Sequence, residues 1–246
     1  MRNLIIDIGN TLQKAAICDN GEITSKISKT SIHIIDLESF INKARFDNTI
    51  VSESGVLEED VRNYLLSNFN THFLSPKTIL PIEILYKTPE QLGKDRIAAA
   101  VAAWSRFPEA NTLVIQAGTC LVYDFVNDKG QYTGGAISPG LSMRFKALHH
   151  YTARLPLISP DYNSLPTEPL LGDSTEGSII CGVVNGVAYE IDSYIARYKS
   201  VYPDLKVILT GGDMSYLKKS IKNTIFANSN LVFEGLNKIL ETNAVK

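Results

Sequence analysis

The chain repeats itself, and the repeat restricts what it can fold into. Asn3-Leu4-Ile5-Ile6-Asp7-Ile8-Gly9 aligns without a gap on Thr112-Leu113-Val114-Ile115-Gln116-Ala117-Gly118, and at the same offset Asp19 and Gly21 fall on Asp128 and Gly130. Each stretch reads as an apolar strand, a glycine turn, a second strand and an acidic hairpin turn. Asn20-Gly21 is strong hairpin chemistry, because both residues tolerate positive φ at little cost. So many matched features over so short a stretch favour a duplicated unit. The fold class expected is α/β, with two similar halves and one shared site at the two glycine turns between them. The polar, proline-containing segment Pro108-Glu109-Ala110-Asn111 marks the boundary, giving halves 1–110 and 111–246.

The remaining pattern fits that class. A third strand is expected near Ile23 to Ser28, helices over 36–44 and 58–68, and a strand at Asn48 to Ser52. Residues 89–107 contain the alanine-rich run Arg96 to Trp104, which has very high helix propensity. After the repeat, Gly134-Gly135 and Pro139-Gly140 bracket a loop before a helix at 141–150. The four prolines of 156–171 predict a loop or lid. A long helix over 178–198 follows, then a strand at 206–210 ending in Gly211-Gly212-Asp213, then a last helix over 233–240.

Composition narrows the function classes. Hydrophobic residues make up 44% and charged residues 20%, which supplies a real core. A formal net charge of -2 offers no basic face for nucleic acid. No apolar run approaches the roughly 20 residues needed to cross a bilayer, and the N-terminus has no apolar signal core. Cys18, Cys120 and Cys181 lie far apart among apolar neighbours, without metal-ligand spacing. Buried free thiols in the cytoplasm are the expectation, with no nucleic-acid or membrane partner.

Two clusters can carry chemistry. In Asp7-Ile8-Gly9-Asn10-Thr11 an acid ends a buried strand, where it can hold a metal ion directly or through water. The glycine lets backbone approach a phosphate, and Asn10, Thr11 and the turn amides supply donors. Read alone, the string is an ordinary hairpin turn. Its near-copy at Gly118-Thr119, and Gly211-Gly212 after a third strand, favour a held nucleotide. That arrangement resembles the superfamily of acetate and sugar kinases, Hsp70 and actin. The second cluster is Tyr86, Gly93, Lys94, Asp95 and Arg96. An acid at the start of a helix is by default a capping residue. The alternative makes Asp95 a base for a substrate hydroxyl and Arg96 an anion holder. Phosphoryl transfer needs little more, because positioning and charge stabilisation dominate it.

These strings together resemble the type III pantothenate kinases. Beyond Asp7 to Thr11 and Tyr86 with Gly93 to Arg96, the match takes in Gly118-Thr119-Cys120, Asp124, Gly134-Gly135 and Ile137-Ser138-Pro139-Gly140. It continues through Ala147-Leu148, Thr152 to Pro156, Gly172 to Glu176 and Thr210-Gly211-Gly212, in order over nearly the whole chain. The resemblance implies ATP-dependent phosphorylation of pantothenate to 4'-phosphopantothenate, the first step towards coenzyme A. It implies that Asp7, Ile8, Gly9, Asn10, Thr11, Leu12, Gln13 and Lys14 line the ATP phosphates, with Thr119 as a second ATP contact. Asp95 becomes the proton acceptor, and Tyr86, Gly93, Lys94, Asp95, Arg96 and Thr175 form the pantothenate pocket. Mg2+ with ATP, a stimulating K+ or NH4+ ion and a homodimer are implied as well. Asp7 and Asp124 are the acids available to a divalent ion.

The chain departs from the family at Gln116, where an acid associated with the monovalent cation is usual, and at Val122, where threonine is common. With no formal charge at Gln116, little stimulation by potassium is expected. Two alternatives stay open: a kinase for another small hydroxy compound, and a non-catalytic regulatory member resembling the Bordetella accessory factor. Several features read as structural. His149-His150 and Lys218, Lys219 and Lys222 are expected on helix surfaces, Trp104 in the core or an interface, and Gly182 and Gly186 against another helix.

Overall fold

The computed structural model describes residues 1–159 and 170–244. In chain order the elements are β1 (Arg2–Ile8), β2 (Gln13–Asp19), β3 (Glu22–Lys29), α1 (Ile34–Ile41), β4 (Asn48–Glu53), α2 (Glu59–Asn68), β5 (Thr71–Phe73), β6 (Glu83–Ile84) and α3 (Lys94–Arg106). Then come β7 (Thr112–Ala117), β8 (Cys120–Val126), β9 (Gln131–Pro139), α4 (Leu141–His150), α5 (Thr175–Val201), β10 (Lys206–Thr210), α6 (Met214–Leu217), β11 (Phe226–Ala227) and α7 (Leu231–Asn243). Most of the proline-rich stretch 156–171, expected as a loop or lid, lies outside the described residues.

The chain forms two compact units, one of residues 1–109, 129–133 and 230–246, the other of 110–128 and 134–229. The sheet of the first unit runs β3-β2-β1-β4-β5, and the second unit's strands run β9-β8-β7-β10-β11. The duplication is therefore repeated in topology. In each unit the first strand pairs antiparallel with the second and parallel with the fourth. The sequence reading placed 111–246 together, but α7 returns to the first unit and packs on α3, β1 and β4.

In the first unit, alternation along the strands sends Leu4, Ile6, Ile8, Ala15 and Val51 to one face, packed under Leu37, Ile41, Val61 and Leu65 of α1 and α2. α3 and α7 cover the other face. Ala98 to Ala103 are all buried there, and a Cβ on Gly235 would lie 1.8 Å from the Ala98 carbonyl oxygen. The alanine run thus does more than favour a helix: its small side chains let the α7 backbone come against α3.

In the second unit, Leu113, Ile115, Leu121, Tyr123 and Phe125 pack under Phe145 of α4 and Ile179, Val183, Val187, Ile191 and Ile195 of α5. α5 is long and apolar enough, by length and composition, to cross a membrane, but this stripe is packed into the unit's core. Ser174 caps it, its Oγ accepting from the Gly177 amide at 3.1 Å. A Cβ added at Gly182 would meet nothing within 4 Å, so no contact within the described residues requires a glycine there. His149, His150, Lys218 and Lys219 are exposed, as read from the sequence. Cys18 and Cys181 are buried free thiols, whereas Cys120 is only half-buried.

Candidate active site

In the first unit the site begins with strand register. Asp7 stands opposite Lys14 in the β1–β2 ladder and opposite Ser52 in the β1–β4 ladder. Directly paired residues share a face, so all three lie on the face away from the Leu4, Ile6 and Ile8 core. Asp7 is 6% exposed. Burial, and after it the negative charge of Asp95, push its carboxyl up to about 6 against the pull of Lys14. The Ser52 hydroxyl leans near enough to hold that acid down slightly, but makes no hydrogen bond of ordinary geometry. After Asp7 the Gly9 amide donates to the Leu12 carbonyl at 3.1 Å, closing the turn that carries the exposed Asn10, Thr11 and Leu12. The Ser54 and Gly55 amides both donate to the Ile8 carbonyl at 2.8 Å. A Cβ on Gly55 would lie 2.4 Å from the Gly9 carbonyl oxygen, so only glycine lets this loop brace the turn.

Not every residue of the 7–14 string faces this site. Gln13 is buried, its Nε2 donating to the Val56 carbonyl and its Oε1 accepting from the Ile32 amide at 2.7 Å. Both ends of its amide are occupied in holding the fold.

Asp95 lies in the first turn of α3, and its Oδ1 accepts from the Arg96 amide at 2.9 Å. The capping role read from the sequence is thus present in part, and the charge of Asp95 is also felt at Asp7. Arg96 is 7% exposed. Its guanidinium lies 5.8 Å from the Tyr86 ring centre and 6.0 Å from that of Tyr132, and the two rings meet edge to face. Tyr86, Lys94, Asp95 and Arg96 are therefore gathered in one unit, with a cation held over aromatic faces beside a carboxylate. The sequence reading missed Tyr132, a fully buried aromatic in an ordinary strand pattern.

In the second unit Thr119 is exposed in the turn between β7 and β8. Gly118 takes no positive φ and an added Cβ would meet nothing within 4 Å, so no internal contact demands glycine there. The Gly211 turn reaches the same place, because the Asp213 amide donates to the Ala117 carbonyl at 3.0 Å. Burial pushes the Asp213 carboxyl up to about 6. Gln116 turns its Nε2 toward Asp124 Oδ2 at 3.4 Å, and Asp124 is fully buried. An amide that points its donor end at the nearest carboxylate is poorly disposed toward a cation. Thr175 lies elsewhere in this unit, on a groove of about 1150 Å³ lined also by Tyr151, Thr152, Leu155, Gly172 and Asp173.

Among the described residues no three His, Cys, Asp or Glu side chains gather as a metal cluster. One buried carboxylate at a strand end, as at Asp7, nevertheless suits a divalent ion that arrives on phosphates, which needs only one or two protein carboxylates.

The fold is that of the actin-like ATPases and sugar kinases. A glucokinase of the ROK family from Streptomyces griseus, solved with glucose and AMPPNP, superposes with a TM-score of 0.55 at 11% identity over 99% of this chain and 100% of its own. A Baf family transcriptional activator from Campylobacter jejuni superposes with a TM-score of 0.60 at 21% identity over 98% of each chain. The profile of the type III pantothenate kinase family matches residues 3–197. The type III pantothenate kinase of Bacteroides fragilis is 45% identical, with 98% of each chain covered. This chain belongs to the type III pantothenate kinase family.

Proposed function

We infer that the chain transfers the γ-phosphoryl group of ATP to the hydroxyl of pantothenate, the first step of coenzyme A biosynthesis. Family membership over nearly the full length carries this reading, and a buried Asp7 that feels the negative charge of Asp95 at the start of α3 supports it. Asp95 takes the hydroxyl proton as the oxygen forms its bond to the γ-phosphorus and the bond to the β–γ bridging oxygen breaks, releasing ADP. Tyr86, Gly93, Lys94 and Arg96 bind pantothenate, the buried Arg96 matching its carboxylate, and Thr175 is a further pantothenate contact. Asp7 would hold the divalent ion, Mg2+, that accompanies ATP, and that ion would supply neutralisation of charge on the transferred phosphoryl group. The turn amides after Asp7, with Lys14 and Thr119, bind the phosphates.

Asp95→Asn, assayed by pantothenate-dependent ADP release, is expected to lose turnover by about 100-fold or more while keeping its melting temperature. Unchanged turnover would remove Asp95 from the mechanism. The Gln116 amide supports a second expectation. Potassium or ammonium should change turnover little, because no formal charge stands at that position. A several-fold rise on replacing sodium with potassium would overturn it. We also propose a homodimer, formed through the grooved face of the second unit.

A further inference from the structure

Five buried side-chain oxygens among the described residues have no hydrogen-bond partner; two of them, Asp7 Oδ1 and Ser52 Oγ, belong to directly paired positions of β1 and β4, and a third, Ser54 Oγ, follows two residues further along the same segment. Ser52 is fully buried opposite Asp7, and Ser54 binds by its amide to the carbonyl of the residue after Asp7. Leaving one buried hydroxyl unpaired costs about 1–3 kcal/mol, and a buried unpaired carboxylate oxygen costs more. Serine also packs worse than valine or alanine in a strand core. Nothing in the folding of this sheet explains why polar side chains occupy these two positions.

The chemistry of the three atoms narrows the role. A phosphate oxygen would be repelled by the carboxylate. Two hydroxyls, by contrast, can each turn a proton toward Oδ1, and three polar oxygens are enough to hold one trapped water. Carboxylates that ligate metals are themselves held by hydrogen bonds from behind, and those partners govern affinity nearly as much as the ligands do. We propose that Ser52 and Ser54 are positioning residues whose hydroxyls donate, directly or through one trapped water, to Asp7 Oδ1 and fix that carboxylate for the divalent ion accompanying ATP. This rests on the assignment of Asp7 to that ion.

The test is calorimetric titration of the full chain with AMPPNP, in Mg2+ and in EDTA, so that the readout is the gain in affinity the metal brings. Ser52→Ala and Ser54→Ala should each cut that gain by about ten-fold or more and leave metal-free binding unchanged. Ser54→Thr, which keeps the hydroxyl, should retain the gain. Should Ser52→Ala fail to fold, Ser54→Ala decides alone. Alanine variants that keep the full gain, or that weaken binding equally with and without metal, overturn the proposal. Asp7→Asn distinguishes the two levels: if it too keeps the gain, the assignment of Asp7 itself falls, whereas a gain lost in Asp7→Asn and kept in the serine variants refutes the serines alone.

Discussion

At the scale of single residues, the sequence spelled the charged members of the site and hid the neutral ones. Asp7 and Asp95 stand out because an acid at a strand end or helix start has few structural uses. Ser52 and Tyr132 do not, since a hydroxyl or an aromatic at one position of an alternating strand is unremarkable until register shows what lies opposite. Gly118 is the reverse case: it reads as a turn glycine, yet neither its φ nor its surroundings require one. A methyl there has room within the chain and can only obstruct something that approaches from outside. Gly118→Ala should therefore leave the melting temperature unchanged and raise the KM for ATP by about ten-fold, roughly 1.4 kcal/mol of lost binding. A variant that melts lower with an unaltered KM would make the glycine structural after all.

Among the elements, the duplication was legible because a strand, a glycine turn and an Asp-x-Gly or Asp-Lys-Gly hairpin each leave a local trace, and the two sheets share one strand order. Long helices and the paired first strands were found for the same reason. β5, β6 and β11 escaped because two or three residues are too few to display a period. The destination of α7 could not be read, since its apolar stripe says that it packs but not on which sheet. Its contact with α3 does have a sequence trace in retrospect, alanines facing a glycine. Gly235→Ala places a methyl 1.8 Å from the Ala98 carbonyl oxygen, and neither backbone can yield without moving a helix. Overpacking of this kind costs about 1–3 kcal/mol. The expected fall in melting temperature is about 4–8 °C for 2 kcal/mol in a chain of this size. No measurable fall would mean that α7 shifts freely on α3.

For the molecule as a whole, the open question is what covers the grooved face of the second unit. The groove at Thr175 opens beside Tyr151, 82% exposed, and Leu171, 81% exposed, with Leu157 and Leu170 in the flanking segments also more than half exposed. Single exposed apolar residues are ordinary, but several on a cleft and in the segments flanking it point to an interface. The formal charge of -2 brings no strong field that would select a polyanionic or basic partner. A second copy of the chain is the simplest occupant, because a two-fold contact presents the same apolar patch from both sides and closes on itself. The purified chain should then travel as a dimer in light scattering after gel filtration. Charging the patch with Tyr151→Glu and Leu171→Glu together should shift the mass to that of one chain without unfolding it, since both side chains are largely free of the unit's own core. Thr175 lies in the same groove, so dissociation should also raise the KM for pantothenate. A wild-type chain that runs as a monomer would dismiss the dimer, and a monomeric variant with an unaltered KM would separate the interface from the substrate pocket.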